Sequence, residues 1–199
     1  GVVLAVILFV REQIGGSVVR RKSFANQVFA KKARPREEMR ILEQHGDQAV
    51  IFELQGSLFF GTTDQLQTAL EPELHRRSYV ILDMRRVQSV DITAAHVLDL
   101  LEDVLTERGG VLVLSAVPKS LPSGQDVRKY FGEVGLVRKG SPVRVFDGLD
   151  DAVQWALVRD EPEGRARLLR LGASTVLRVD VRDVLEAQFG RLAWLSTLG

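Results

Sequence analysis

Residues 83 to 119 hold the side chains most readily turned to chemistry. Asp83 closes the apolar run "YVILDM", Asp91 and Thr93 stand two apart in "SVDITAAHVLDLL", and Lys119 follows the next apolar run, "VLVLSAV". Two carboxylates and a lysine at the carboxyl edge of a sheet occupy the place where open α/β folds put their sites. An aspartate that accepts a phosphoryl group also needs a divalent cation held by further acids. Neither "ILEQHGDQ" nor "LQGSLF", the segments that would have to supply them, does so convincingly. Catalysis is therefore not the expected role.

Other chemistries are excluded by type and spacing. "GEVGLVRKGS" has glycines and a lysine but the spacing of neither a P-loop nor a dinucleotide fingerprint, and there is no Gly-x-Ser-x-Gly elbow. His45, His75 and His96 lack companions at metal-ligand spacing, and the absence of cysteine removes disulfides and thiolate chemistry. No metal and no cofactor is expected.

What remains at "SVDITAAHVLDLL" is a helix start. Asp91 is suited to the N-cap, where it accepts free backbone N–H groups and its charge meets the positive end of the helix dipole. Thr93 then falls in the first turn with its hydroxyl near solvent. A phosphate there would be drawn to the helix N-terminus and repelled by Asp91, and that conflict is what would let phosphorylation alter a docking surface.

The elements that must position these residues alternate. "AVIFELQGSL" (49–58), "YVILDM" (79–84), "VLVLSAV" (111–117) and "VRVF" (143–146) read as strands, mostly covered on both faces. Helices are expected over 62–77, bent or divided at Pro72, from Asp91 to the Gly109–Gly110 pair, over 124–135 and over 149–160. Alternation of this kind gives βαβ units and an open sheet with helices packed on it, over residues 39–160.

Upstream, the chain opens on "GVVLAVILFV". That run is about half of the roughly 20 residues a bilayer span needs, and taken alone it fits a buried strand equally well. Its start at Gly1 rather than Met suggests a longer protein. Between Arg11 and Arg40, nine basic residues face three acidic ones, an excess of six, so with a formal net charge of +1 the rest of the chain carries −5. A basic arm behind an apolar run places the downstream chain on the cytoplasmic side if the run ends a membrane span. The arm's aromatics, Phe24 and Phe29, are few and no recognition module accompanies them, so nucleic acid is not the expected partner.

The order of elements, with "GSLFFGTTDQL", "YVILDMRRVQSVDITAAHVLDLLEDVL" and "VRVFDGLDDAVQWA", resembles the STAS domain shared by SulP anion transporters and bacterial anti-sigma-factor antagonists. "LQGSLFFGT" and the upstream segment are similar to the transporter branch. The resemblance implies an α/β fold with a mixed sheet of four or more strands and helices packed mainly on one side. It also implies a functional surface at the loop and helix start around Asp91. In the antagonists that motif reads Asp-Ser-Ser/Thr-Gly and its second hydroxyl residue is phosphorylated by a partner kinase. Asp91 matches the aspartate and Thr93 the phosphoacceptor, while Ile92 and Ala94 depart from the pattern; Asp83 is grouped with them as a neighbour of the switch site.

Under this resemblance residues 1–10 are the end of the last transmembrane helix, 11–38 a basic juxtamembrane linker, 39–159 the STAS domain and 160–199 an extension or connector. The implied role is the regulatory domain of a secondary anion transporter at the cytoplasmic face of the inner membrane, not an enzyme. Its partners would be the transporter's own membrane domain and, through Arg20, Arg21, Lys22, Lys31 and Lys32, the anionic membrane surface. A second copy of the chain and a regulatory protein at the Thr93 surface are further partners the resemblance allows. The alternative it implies is a soluble phosphoswitch that binds a kinase through Asp91 and Thr93.

Overall fold

The computed structural model describes residues 2–6, 17–29, 46–121, 123–138 and 140–159. The chain divides into two units, Gly1–Leu157 and Val158–Gly199, and the sheet with its helices builds the first. The expected connector, 160–199, and the basic residues Lys31 and Lys32 lie outside the described residues.

Among the described residues five strands form one sheet in the order β1 (Val19–Phe24), β2 (Ala49–Leu58), β3 (Tyr79–Val90), β4 (Val111–Ser115), β5 (Arg144–Phe146). β1 runs antiparallel to β2 and the other neighbours are parallel, so the sheet is mixed, as expected. Helices α1 (Ala25–Phe29), α2 (Phe60–Leu74), α3 (Ile92–Glu107), α4 (Val127–Glu133) and α5 (Leu149–Val158) connect or follow them. Parallel pairing with a helix between successive strands is what the periodicity of residues 49–158 dictates.

Two cores result, one on each face of the sheet. Even-numbered residues of β2, such as Phe52 and Leu54, join Leu82, Met84, Leu112 and Leu114 under α2, α3 and α4. The alternate residues Ala49, Ile51, Tyr79, Ile81, Val111 and Val113 pack under α5, with Trp155 edge-on to Tyr79 at 6.0 Å between ring centroids. Helices thus lie mainly on one side, with α5 and α1 contributing to the other core. Burial on both faces explains why β3 and β4 begin as nearly unbroken apolar runs.

Three expectations change. Residues 19–24, read as linker, are an edge strand of the sheet, because Phe24 and the buried Val18 and Ser23 reach the core, Arg20 and Arg21 stay exposed, and Lys22 reaches the buried Glu73. β3 does not stop at Met84 but continues to Val90. Its later core contacts, Val87 and Val90, come three residues apart instead of two, and that spacing hides the strand from a search for alternation. α2 runs unbroken through Pro72. The carbonyl deprived of its partner there belongs to Thr68, and both residues are exposed, so the carbonyl is not left buried without a partner.

Residues 2–6 are helical, with Val2, Val3, Leu4 and Val6 exposed, which does not fit a buried strand. Among the described residues no helix is long and apolar enough to cross a membrane.

Candidate functional site

α3 is a regular helix whose buried residues, Ala94, Ala95, Leu98, Leu101 and Leu105, fall on one stripe. It ends where Gly109 takes φ 74 and Gly110 N–H returns to the Leu105 carbonyl at 2.8 Å. Its start is set by Asp91, whose extended backbone (φ −97°, ψ 176°) turns β3 into the helix. Asp91 N–H donates to the Leu58 carbonyl at 3.0 Å, which ties the end of β3 to the end of β2.

The Asp91 carboxylate serves two helices. Oδ1 accepts the Ala94 N–H of α3 at 2.8 Å, and Oδ2 accepts the Phe60 N–H, the first of α2, at 3.2 Å. α2 has Phe59 at its N-cap position, with no side-chain oxygen to offer. Thr62 compensates by accepting the Phe59 N–H on its hydroxyl at 3.0 Å. One acid therefore anchors both helix starts, and both positive dipole ends point toward its charge. The capping expected of Asp91 is present and extends to a second helix.

Around this anchor the surface is apolar and open. Phe60 is 78% exposed and Ile92 63% exposed, beside the half-buried Thr93. Ala94 points inward and is fully buried. Gln125 donates from Nε2 to the Val90 carbonyl at 3.1 Å and brings the segment before α4 against the same edge. From α4, Tyr130 lies close enough that burial and the Asp91 charge both push its phenol pKa up. Phe60, Gln125 and Tyr130 are not singled out by the sequence. In "LFFGTT" nothing distinguishes the phenylalanine left in solvent from its neighbour, and Gln125 and Tyr130 meet Asp91 only through the fold.

Asp83 does not join this group. It pairs in register with Ser115 at the end of β4, eight residues before Asp91, roughly 25 Å along an extended strand. Its carboxylate is on the α5 side of the sheet, where Oδ1 accepts the Arg85 N–H at 3.1 Å and Oδ2 lies 3.6 Å from the Arg85 guanidinium. The grouping of Asp83 with the switch site fails because β3 is twice as long as "YVILDM". His96 is exposed, and among the described residues no three His, Asp or Glu side chains cluster as a metal site would require.

The basic residues of β1 are engaged within the domain. Arg20 donates to Glu53 at 2.8 Å, Arg21 lies 4.0 Å from the same carboxylate, and Lys22 donates to the buried Glu73 at 2.6 Å.

The chain is similar to several known proteins. Glutaminase 2 of Bradyrhizobium diazoefficiens is 34% identical over 131 residues, 65% of this chain and 20% of that protein, so the chain spans a fifth of the length of this curated relative. A sulfate transporter family protein from Wolinella succinogenes is 30% identical, over 66% of this chain and 95% of that one, with a TM-score of 0.46. The STAS domain of a SulP transporter from Vibrio cholerae is 22% identical, over 64% and 98%, with a TM-score of 0.43. Structures of anti-sigma factor antagonists are also similar, at 15 and 16% identity. Residues 39–152 match the STAS domain family along the stretch that builds β2 to the start of α5, and the chain belongs to that family.

Proposed function

We propose that this chain is the regulatory STAS domain of a SulP-type secondary anion transporter, at the cytoplasmic face of the membrane. It docks on the transporter's own membrane domain and modulates transport or assembly. The observation that carries this reading is the order of segments. An apolar run, helical and exposed at residues 2–6, precedes a basic arm, and the arm feeds β1 directly into the sheet of the STAS domain. A membrane-attached module needs such a leader, and the positive arm would rest against anionic headgroups. The likeness to a sulfate transporter family protein agrees with it. The module is not itself an enzyme, and a glutaminase activity does not follow from a likeness to one fifth of that protein.

Anion uptake by the full-length carrier, with and without residues 41–199, tests this. Uptake or assembly should fall on deletion; unchanged uptake, expression and assembly would sink the proposal.

One observation favours a second reading, a kinase-binding phosphoswitch. Thr93 stands in the first turn of α3, beside the exposed Ile92 and Phe60, with its hydroxyl in no hydrogen bond among the described residues. Phosphate incorporation that disappears in Thr93→Ala would support it, and its absence with candidate kinases counts against it.

A further inference from the structure

β2 is flanked by two β-bulges at one level. On its antiparallel side Val19 pairs with Leu54 and Arg21 with Glu53, which leaves Arg20 as an extra residue in β1. On its parallel side Glu53 pairs with Asp83 and Gln55 with Arg86, which leaves β3 one residue longer over the same interval. An unbroken strand sends adjacent side chains to opposite faces, and a bulge re-aims them. The core residues of β3 accordingly run Leu82, Met84, Val87, with the adjacent Arg85 and Arg86 both left off that face. Arg20, Arg85 and Arg86 line one cleft of about 180 Å³, together with Glu53, Leu54, Asp83 and Leu149.

The two carboxylates position the guanidinium groups without saturating them. Glu53 takes one N–H of Arg20 at 2.8 Å, and Asp83, its side chain only 8% exposed, lies 3.6 Å from Arg85. Each guanidinium carries five N–H donors, so both keep donors free. Arg86 has no carboxylate partner among the described residues. Three cations therefore meet two anions in a space of molecular size. Planar donor forks arranged in this way match an anion with several acceptor oxygens, phosphate above all. Bulges break ladder hydrogen bonds, and here two of them deliver arginine to the same place.

We propose that this cleft binds a phosphate group through Arg20, Arg85 and Arg86, either on an anionic phospholipid headgroup or as a soluble phosphate. The chemistry of recognition is the same for both. The site is separate from the Asp91 surface and does not depend on the transporter reading.

The test uses the whole 199-residue chain and two probes at one moderate ionic strength. Inorganic phosphate is followed by NMR shifts, and phosphatidylcholine vesicles containing phosphatidylglycerol are followed by co-sedimentation. Arg86→Gln, at an exposed and internally unpaired position, should leave thermal unfolding unchanged and weaken binding about fivefold, the loss of one charge-assisted contact. Glu53→Gln removes an opposing charge and should strengthen binding, a gain that a purely structural role would not produce. An Arg86-dependent response to phosphate alone assigns a soluble ligand. A response with vesicles alone assigns a lipid headgroup, and a response with both supports the site for either source. If Arg86→Gln changes neither, the proposal is overturned, including the case in which vesicles bind only through Lys31 and Lys32.

Discussion

Glu73 and Asp91 are two carboxylates that hold neighbouring parts of the fold together, and they are satisfied in opposite ways. Glu73, buried on α2, is held by side chains. Lys22 of β1 donates to it at 2.6 Å and Arg77 at 2.7 Å, and Arg77 also covers the Phe24 ring at 4.8 Å. Asp91 is half-buried and takes backbone N–H groups from two helices. Charged side-chain partners can be titrated or replaced, so the attachment of β1 is conditional. Backbone donors are independent of residue type, so the helix starts keep their geometry while the residues around them vary. That explains how Ile92 and Ala94 depart from the Asp-Ser-Ser/Thr-Gly pattern without disturbing the cap.

The largest loss is expected at Glu73. Glu73→Ala removes the anion shared by Lys22 and Arg77, both partly exposed, and leaves a gap on the buried face of α2, so it should cost about 2–3 kcal/mol in urea unfolding. Lys22→Met should cost less, because Lys22 is partly exposed and Arg77 still pairs with Glu73. The attachment should also depend on pH. Burial alone would raise the Glu73 carboxyl, but the hydrogen bonds and charges of Lys22 and Arg77 outweigh it and hold it below the ordinary glutamate range. A carboxyl lowered on folding contributes its stability above its unfolded pKa and loses it as pH falls through the folded value. Acid should therefore loosen β1 first, visible as amide protection factors in residues 19–24 that fall before those of the other strands. Equal protection of β1 and β4 down to the acid transition would contradict this.

At Asp91 the expected effects are smaller. Asp91→Ala leaves the Phe60 and Ala94 N–H groups uncapped and should cost about 1–2 kcal/mol in the same measurement. Asp91→Asn keeps one acceptor oxygen, enough for the Ala94 N–H, but turns an amide donor toward the Phe60 N–H, so it should cost about 1 kcal/mol, less than alanine. If Asn were as stable as the parent, the bond to the Phe60 N–H would hold nothing, and the anchoring of two helix starts by one carboxylate would fail.

These regions differ in how legible they are from sequence, for physical reasons. Asp91 is legible because an N-cap is local: acid, first turn and apolar stripe are contiguous. Strands β2 to β5 and helices α2 to α5 are legible from periodicity and glycine punctuation. β1 is not, because six residues with three consecutive cations look like a solvated linker until Glu53 and Glu73, more than 30 and 50 residues on, supply the partners. The continuation of β3 past Met84 is hidden because bulges break the two-residue period. For the same reason Arg85 and Arg86 look like an ordinary exposed pair, and Asp83 is read beside Asp91 when it belongs to the arginine cleft.

The smallest expected effect is at Thr93. In the first turn of α3 its hydroxyl caps nothing, so Thr93→Ala loses no hydrogen bond and gains slightly in helix propensity. Its stability should stay within about 0.5 kcal/mol of the parent in the urea measurement that registers Asp91→Ala. Thr93→Asp adds a charge that the helix dipole favours and Asp91 opposes, and these should nearly cancel. Any loss of partner binding or transport in either variant would then report the surface formed by Thr93, Ile92 and Phe60, not the fold beneath it. A destabilisation of about 2 kcal/mol in Thr93→Ala, the size expected when a cap is lost, would show instead that Thr93 belongs to the framework, and the separation of a fixed helix start from a variable surface would fail.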